Sequence, residues 1–382
     1  MKKPVYRPTF KLGILGGGQL GRMFIQNAIN YNVNVHVLDP GASAPCKDIA
    51  TSFTQGDFND YQTVLDFGKH MDVLTIEIEH VNTKALEELE QAGVKVFPQP
   101  HIIKMIQDKG LQKQFYVEHD IPTSPFRLAQ DKSELMSGDF TLPFVQKLRT
   151  GGYDGRGVQI LGSDQDYEKA FDAPCVIEDL VDFEKELSVI VSRNEAGEIN
   201  TFPVVEPEFN PEANLVEFLF SPANIDAKTE EKARNIAERV AQATGIVGLL
   251  AVELFLTKTG DILVNEVAPR PHNSGHHTIE ANNSSQYDQH LRAITGLPAG
   301  NTAQTRSAVM VNLLGAEGHT GEVKLKGLEE VMAMPGVFLH LYGKKETKPF
   351  RKMGHVTVTA DTLEEAISIA NEVKATLRIE GE

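Results

Sequence analysis

The sequence predicts an α/β protein built from three consecutive blocks. In the first block, short apolar strands alternate with helices, which is the pattern of a parallel sheet. The proline-rich connection 97–100 ends this block. The second block mixes strands, helices and glycine-rich turns up to about Gly300, and the third is rich in strands and closes on a helix. Three domains are within the range that 382 residues allow.

Apolar periodicity places the main strands and helices of the first and third blocks. Strands carry continuous apolar runs, and helices carry apolar residues on one face. The predicted bounds are strands at 11–15, 33–38, 73–78, 308–314, 336–342 and 354–359, and helices at 19–30, 83–92 and 364–377.

Composition limits the class of function. The apolar fraction of 41% and the charged fraction of 24% are ordinary for a soluble globular protein. A formal net charge of -16 argues against broad nucleic-acid binding, so an anionic ligand would need a local basic cluster.

Cys46 and Cys175 lie in no motif and are expected to be buried thiols. The start of the chain has no apolar signal segment, and the run 246–252 is too short to span a membrane, so a cytoplasmic location is expected.

A glycine-rich turn follows the first predicted strand. The sequence from Gly16 to Gly21 fits G-x-G-x-x-G, and Asp39 ends the next strand, at the spacing of a ribose-binding acid. One interpretation is a dinucleotide site, which would make the protein a nicotinamide-dependent dehydrogenase. The other is that the glycines only permit a tight strand–helix turn. The dehydrogenase interpretation leaves two carboxylates later in the chain unexplained.

Those carboxylates, Glu253 and Glu266, lie on two apolar segments joined by the turn 258–261. Each stands at one end of its segment, so a hairpin would bring the two together. Asn265 adds a neutral oxygen ligand beside Glu266. Hard oxygen ligands of this kind hold Mg²⁺ when a phosphate completes the shell. The next turn offers Arg270, His272 and Asn273 to an anion, and the combination indicates nucleotide-driven chemistry.

The second block contains further nucleotide-binding candidates. Lys147 lies on a predicted strand and is followed by four glycines within 151–157, a loop rich in backbone amides that could fold over phosphates. The loop lacks the P-loop order, and a plain hairpin turn is the alternative. Glu178 at a strand end could face an adenine edge, and Glu186 could accept ribose hydroxyls. For either glutamate alone, a solvated surface carboxylate is the simpler interpretation.

Together these residues resemble the ATP-grasp superfamily. Within it, the chain resembles the ATP-dependent carboxylases that act on 5-aminoimidazole ribonucleotide in purine biosynthesis. The resemblance covers nearly the whole chain, in the family's order. One departure is Lys109, where the family often has arginine; the charge is kept. The motifs that carry the resemblance are Gly16-Gly-Gly-Gln-Leu-Gly-Arg-Met23, Gly151-Gly-Tyr-Asp-Gly-Arg-Gly157, Asn265-Glu-Val-Ala-Pro-Arg-Pro-His-Asn-Ser-Gly-His276 and Arg351-Lys-Met-Gly-His355.

The resemblance implies a fold and a reaction. The expected domains are a Rossmann-like domain at 1–100, an ATP-grasp domain at 101–300 and a small β-rich domain at 301–382. ATP would phosphorylate bicarbonate to carboxyphosphate, and the ribonucleotide's exocyclic amine would take the carboxyl group. Phosphoryl transfer of this kind needs positioning and charge neutralisation more than a protein nucleophile. The implied partners are small molecules and a second copy of the chain in a homodimer.

The resemblance also implies roles for individual residues. Mg²⁺ would be held by Glu253 and Glu266. Among the catalytic residues, Arg270, His272 and Asn273 would hold bicarbonate and carboxyphosphate, and Tyr153 and Asp154 would close over the imidazole. ATP would be bound by Lys109, Lys147, Gly152, Tyr153, Asp154, Gly155, Arg156, Gly157, Glu178, Asp179, Leu180, Val181, Glu186, Asn265 and Glu266. The ribonucleotide would be bound by Gly18, Gln19, Leu20, Glu77, Glu79, Asn273, Ser274, Lys344, Arg351 and Lys352.

Lys344, Arg351 and Lys352 belong to a basic cluster of five cations in the segment 344–352. A solvated loop is the alternative interpretation of this cluster. Two other functions stay open besides the dehydrogenase. One is another formyl- or carboxyl-transferring ATP-grasp ligase of purine synthesis. The other is a nucleotide sensor without catalysis, which the intact Glu253, Glu266 and Lys147 disfavour.

Overall fold

The computed structural model describes residues 7–137, 140–152, 157–210 and 215–382. The predicted site residues Tyr153, Asp154, Gly155 and Arg156 lie outside the described residues. Within these ranges the chain forms a mixed α/β structure with one parallel and several antiparallel sheets, so the predicted fold class is confirmed. The domain boundaries at 100 and 300 stay a prediction.

The first sheet has five parallel strands in the order β3-β2-β1-β4-β5. The chain leaves β1 in one direction to β2 and later returns to its other side with β4, which opens a crevice at the carboxyl ends of β1 and β4. The prediction omitted β3 and α2, and β4 ends two residues earlier than predicted. The elements are β1 Lys11–Leu15, α1 Gln19–Asn30, β2 Asn34–Asp39, β3 Ser52–Gln55, α2 Tyr61–Gly68, β4 Val73–Ile76, α3 Thr83–Gln91 and β5 Lys95–Val96.

Two helices lead from this sheet into a small antiparallel sheet of order β6-β9-β7-β8. Side-chain caps begin several of the helices, among them Asp108, which accepts the N–H groups of Gly110 and Leu111 at the start of α5. The elements are α4 Pro100–Ile106, α5 Lys109–Glu118, β6 Phe126–Ala129, α6 Lys132–Ser137, β7 Phe144–Leu148, β8 Val158–Leu161, the 3₁₀ turn Asp164–Lys169 and β9 Cys175–Asp179.

A second antiparallel sheet, of order β11-β10-β14-β15, carries the predicted hairpin. One of its faces packs on α7, an amphipathic helix that begins at the Asp226 cap and ends at Gly245 in the left-handed region. The elements of this part are β10 Phe183–Arg193, β11 Ile199–Thr201, α7 Ala227–Thr244, β14 Gly248–Thr257, β15 Ile262–Ala268, the 3₁₀ turn Asn273–Gly275, α8 Thr278–Ala281 and α9 Gln286–Thr295.

The third block forms a five-stranded antiparallel sheet of order β12-β13-β16-β20-β18, covered on one face by α11. Two of its strands come from the second block, so the blocks share this sheet. A small sheet of order β19-β17-β21 lies beside it. The elements are β12 Glu206–Asn210, β13 Leu215–Ser221, β16 Ser307–Leu314, β17 Gly321–Lys326, α10 Leu328–Met332, β18 Val337–Leu341, β19 Glu346–Thr347, β20 Lys352–Ala360, α11 Leu363–Thr376 and β21 Arg378–Gly381.

Two predictions from composition can be compared with the fold. Cys46 and Cys175 are both free and buried, as expected. Within the described ranges, no helix is long and apolar enough to cross a membrane.

Candidate active site

The hairpin brings the two predicted carboxylates together. Glu253 on β14 is the cross-strand partner of Glu266 on β15, and Ser188 on β10 is the partner of Glu253 on its other side. Paired residues project from the same face of a sheet, so these side chains form one row. The prediction placed both carboxylates at strand ends, but β14 continues beyond Glu253 in both directions. They still meet because the register pairs them directly.

A β-bulge lets a third ligand join the row. Glu253 pairs with Glu266 and Leu254 pairs with Val264, so Asn265 is an extra residue on β15. A bulge interrupts the alternation of side chains and re-aims the inserted one. Asn265 and Glu266 therefore both meet lysines of the same cluster: Lys147 donates to Oδ1 of Asn265 at 2.8 Å, and Lys109 pairs with Glu266.

Each lysine is aimed by its own element. Lys109 is the first residue of α5, directly after the cap Asp108, which Arg149 of the β7 end holds with two hydrogen bonds of 2.8 and 2.6 Å. Lys147 projects from β7. Its Nζ also lies 3.0 Å from Oε1 of Glu178 on β9. The small sheet and α5 thus bring both cations over the hairpin.

Glu178 is only 4% exposed, so the interpretation of a solvated surface carboxylate is wrong for this residue. Ser124 donates to its Oε2 at 2.6 Å, and Lys113 of α5 lies 3.0 Å from the same oxygen. Burial opposes ionisation of Glu178, but the charges of Lys147 and Lys113 hold its pKa below the usual range. Sequence reasoning missed Lys113. Its position four residues after Lys109, on the same helix face, could have indicated it.

The electrostatics of the carboxylate pair suit a metal ion. Burial raises the pKa of Glu253, and the neighbouring charge of Glu266 raises it further. Burial also opposes ionisation of Glu266, but Lys109 and Lys147 outweigh it and lower that pKa. No group of three or more His, Cys, Asp or Glu side chains in the described part of the chain could hold a metal alone. An ion between Glu253 and Glu266 would therefore need outside ligands such as phosphate oxygens.

The predicted adenosine contacts lie along the connection from β9 to β10. Asp179 and Leu180 are exposed and Val181 is partly exposed, so this connection is accessible to a ligand. Glu186 on β10 projects from the same face as Ser188 and lies opposite Phe255. Burial raises the pKa of Glu186 to about 7. Across the site, Gly151 and Gly157 flank the glycine loop with φ of 79° and 75°, a region that favours glycine, and Gly152 follows Gly151.

The predicted anion-binding turn lies directly beside the carboxylate pair. His272 Nε2 is 3.5 Å from Oε1 of Glu253, and its Nδ1 shares a 2.9 Å hydrogen bond with Ser274. Ser274 is buried and also meets Ser188 at 2.8 Å. Arg270 pairs with Glu79 of the first domain at 2.8 Å. These contacts fix the orientation of the turn.

The five-stranded antiparallel sheet of the third block reaches the same turn through Asn273. The amides of Asn273 and Asn312 bond reciprocally at 2.9 and 3.0 Å. Asn312 lies on β16, which is paired with β20. The turn is therefore in contact both with the segment after β4, through Glu79, and with the five-stranded antiparallel sheet, through Asn312.

The glycine-rich turn after β1 is already bonded to protein carboxylates. Glu77 accepts the N–H groups of Gly18 and Leu20 at 2.8 and 3.0 Å, and Asp39 accepts that of Gly17 at 2.7 Å. Burial raises the pKa of Glu77 despite these bonds. A dinucleotide phosphate would have to displace both acids, so the geometry disfavours the dehydrogenase interpretation. Gln19 opens α1 at the same edge.

The basic cluster lies between β18 and β20, close to α1. Lys344 donates to the carbonyl of Lys352 and Arg351 to that of Glu346, both at 2.6 Å. Arg22 of α1 lies so close to Gly343 that a Cβ there would be 3.4 Å from its Nη1. The start of this segment therefore lies against the first turns of α1. Arg22 belongs to the first motif of the resemblance, but no role was predicted for it.

Three sequence families match successive parts of the chain. The ribonucleotide synthetase preATP-grasp domain matches residues 9–107, and the ATP-grasp domain matches 114–287. The phosphoribosylaminoimidazole carboxylase C-terminal domain matches 308–368. With the lysines and carboxylates described above, these matches place the chain in the ATP-grasp class.

Relatives refine this class. An N5-carboxyaminoimidazole ribonucleotide synthetase structure from Thermotoga maritima is 43% identical, with a TM-score of 0.91 and coverage of 98% of this chain and 100% of that one. The synthase of Bacillus subtilis is 37% identical, over 94% of this chain and 93% of that protein. An Aspergillus clavatus synthase in complex with ADP and 5-aminoimidazole ribonucleotide is 34% identical, with a TM-score of 0.86 and coverage of 95% and 99%.

The chain belongs to the N5-carboxyaminoimidazole ribonucleotide synthase family. The resemblance predicted from the motifs is therefore confirmed. The first curated relatives, phosphoribosylaminoimidazole carboxylases of a plant and of yeasts, are longer, and the chain spans 64–67% of their length.

Proposed function

We propose that this chain is an ATP-dependent ligase that carboxylates 5-aminoimidazole ribonucleotide with bicarbonate in purine biosynthesis. The products are N5-carboxyaminoimidazole ribonucleotide, ADP and phosphate. The observation that carries the proposal is the pairing of Glu253 with Glu266 beneath Lys109 and Lys147, in a chain whose full-length relatives are synthases of this kind.

Lys109 and Lys147 would bind the phosphates of ATP. In the structure Lys109 pairs with Glu266, and Lys147 with Glu178 and Asn265. Negative charge brought by the triphosphate would draw both ammonium groups onto phosphate oxygens. Glu253, Glu266 and Asn265 would hold Mg²⁺, which would supply further positive charge to neutralise those oxygens. The connection from Glu178 to Val181 would contact adenine, and Glu186 the ribose.

Bicarbonate is a poor electrophile, and phosphorylation gives it a leaving group. Arg270, His272 and Asn273 lie on the turn next to Glu253, where the γ-phosphate would be transferred. Their fixed partners, Glu79, Ser274 and Asn312, hold them in place before the substrate arrives. Such preorganisation is the main contribution that a protein makes to phosphoryl transfer. By the family resemblance, Tyr153 and Asp154 would close over the imidazole of the ribonucleotide.

The ribonucleotide would bind between the first domain and the basic cluster. Lys344, Arg351 and Lys352 would hold its phosphate, with Gly18, Gln19 and Leu20 at the facing end of α1. Because the N–H groups of Gly18 and Leu20 are bonded to Glu77, their contribution requires that carboxylate to move or to face the substrate itself. Ser274 would complete the site from the turn, and Glu79 would do so from the segment after β4. A homodimer and a cytoplasmic location belong to the same proposal, by family resemblance.

The test is ATP turnover measured with and without each substrate. Mg-ATP should be hydrolysed to ADP when the ribonucleotide is present, and labelled bicarbonate should enter the product in step with ADP. The riboside without its phosphate serves as the control substrate, because it cannot engage the basic cluster. AMP as the product, or turnover indifferent to the ribonucleotide, would contradict the proposal.

A further inference from the structure

Lys113 is a buried cation that the proposed chemistry does not use. Its side chain on α5 is 3% exposed. The ammonium donates to Thr123 Oγ1 at 2.6 Å and to Ser124 Oγ at 2.9 Å, and it lies 3.0 Å from Oε2 of Glu178. An ammonium has three protons, so each has a partner.

The fold alone gives no reason for a charge at this position. The neighbouring residues on the buried face of α5 include Gly110, Gln112 and Tyr116. Burial lowers the pKa of Lys113 to about 8, which shows that the position is unfavourable for a charged group despite Glu178. A well-packed apolar side chain often replaces a buried ion pair at no loss of stability. A functional reason for the charge is therefore the better explanation.

The partners of Lys113 lead directly to the active site. Glu178 receives Lys113 and Ser124 on Oε2, which leaves Oε1 for Lys147 at 3.0 Å. Lys147 in turn donates to Asn265 at 2.8 Å, next to Glu266. A continuous chain of charge-assisted hydrogen bonds thus runs from α5 to the carboxylate pair.

We propose that Lys113 is a positioning residue that holds Glu178 ionised and turned so that its Oε1 faces Lys147 and the nucleobase. The proposal rests on the proposed function, in which Glu178 faces adenine and Lys147 the phosphates. Without Lys113, Lys147 is the one cation among the described residues within ion-pair distance of Glu178, and the carboxylate is free to rotate toward it. Lys147 would then be held away from phosphate, and the edge presented to the base would change.

The test is the Lys113→Met variant, which keeps the length of the side chain and removes its charge. We expect the apparent Kd for a non-hydrolysable ATP analogue to rise about tenfold, with preference for ATP over ITP reduced and the KM for the ribonucleotide unchanged. ITP differs from ATP at the purine 6-position, so this preference reports on the base contact. A merely structural role would not alter it. Lys113→Arg should recover part of both losses.

Lys104→Met is the matched control, because Lys104 lies on the preceding helix with a side chain that is 64% exposed. Lys104→Met should bind the nucleotide like the wild type.

If Lys113→Met does not fold, Ser124→Ala provides a second test. It removes the other donor to Oε2 of Glu178 without burying a new charge, and it should change the preference for ATP over ITP in the same direction. Wild-type affinity and wild-type preference in Lys113→Met, or in Ser124→Ala if the first variant is unfolded, would overturn the proposal. Nucleotide binding by calorimetry needs no carboxylation, so failure of the proposed reaction would be distinguished from failure of this inference.

Discussion

The carboxylate–lysine cluster around the hairpin and the basic cluster at 344–352 are both expected to bind phosphate, but they hold their cations differently. In the first, Lys109 and Lys147 are paired with carboxylates inside the protein. In the second, Lys344 and Arg351 donate to backbone carbonyls, and Arg351 has no carboxylate partner among the described residues. A neutral carbonyl is a weaker competitor for an arginine than a carboxylate is.

This difference has a physical consequence for each site. At the hairpin, Lys109 and Lys147 are already paired with carboxylates before ATP arrives. A triphosphate must therefore exchange places with those carboxylates, which then become available to a metal. At the basic cluster, phosphate adds charge-assisted bonds without displacing an ion pair of Arg351. Variants of the hairpin should therefore disturb both the protein and the reaction, whereas variants of the basic cluster should alter ligand affinity.

The largest effect is expected from Glu266→Gln, which keeps the shape of the side chain and removes the charge. Turnover should fall by about 10³-fold or more, because several kcal/mol of charge stabilisation on the phosphate are at stake. Glu253→Gln should act in the same way, since the two residues are cross-strand partners. The measurement is ATP turnover over a range of Mg²⁺ concentrations, with circular dichroism to establish folding.

Asp261→Asn is the control for this pair, because Asp261 lies in the turn of the same hairpin with a side chain that is 68% exposed. It should retain wild-type turnover. Near-normal activity of either glutamine variant at low Mg²⁺ would show that the pair does not hold the metal. Loss of folding in both would instead make the pair a structural element.

The sequence was sufficient for the parts of this site that depend on local order. The hairpin follows from two apolar segments and a turn, and the α1 bounds agree with the prediction because an amphipathic run follows a glycine turn directly. Family motifs then supplied the order of the remaining parts. The short β3 and α2 were missed because neither has a long apolar run.

What the sequence could not provide is the set of partners that distant segments supply. Glu178 is buried because Lys113 and Ser124, more than fifty residues earlier, close over it. Glu77 follows β4 and Asp39 is the last residue of β2, and only the strand order brings them to the glycine turn after β1. The bulge that turns Asn265 toward the same lysines as Glu266 depends on a register shift, which the residue types in the hairpin do not predict.

A smaller effect is expected from Arg351→Ala at the basic cluster. A charge-assisted contact to phosphate contributes roughly 1.5–3 kcal/mol, so the KM for the ribonucleotide should rise about tenfold to hundredfold. Lys344→Ala should act in the same direction. Affinity for ATP should change much less, because both residues lie in the segment between β18 and β20 and outside the block that is expected to bind ATP. Steady-state kinetics with each substrate varied separately, together with calorimetry for ATP, measure the two effects.

Lys345→Ala is the control within the same segment, because its side chain is exposed and no role is proposed for it. It should leave both constants near the wild-type values. If Arg351→Ala weakened ATP and left the ribonucleotide KM unchanged, the basic cluster would belong to the nucleotide site. The two clusters would then be two halves of a single phosphate-binding site.

The smallest effect concerns stability and the unfavourable burial of the Glu186 carboxylate on β10, next to the hairpin. Burial raises the pKa of Glu186 from 4.5 to about 7, so the folded protein holds this proton to a higher pH than the unfolded chain does. Unfolding therefore releases a proton between pH 4.5 and pH 7, and wild-type stability falls as the pH rises through that window. Glutamine does not ionise, so Glu186→Gln should be more stable than wild type at pH 8 and equal to it near pH 4.

The gain should be about 1–2 kcal/mol, because the side chain is only half-buried and solvent screening reduces what the pKa shift alone would give. Denaturant unfolding of both proteins at pH 4, 6 and 8 measures it. Glu184→Gln, an exposed position on the same strand, should show no such gain at any of these pH values. A gain that is independent of pH would mean that better packing, rather than removal of a charge, stabilises the variant. Weaker ATP binding by the stabilised Glu186→Gln would show that β10 keeps an unfavourable carboxylate because the nucleotide requires it.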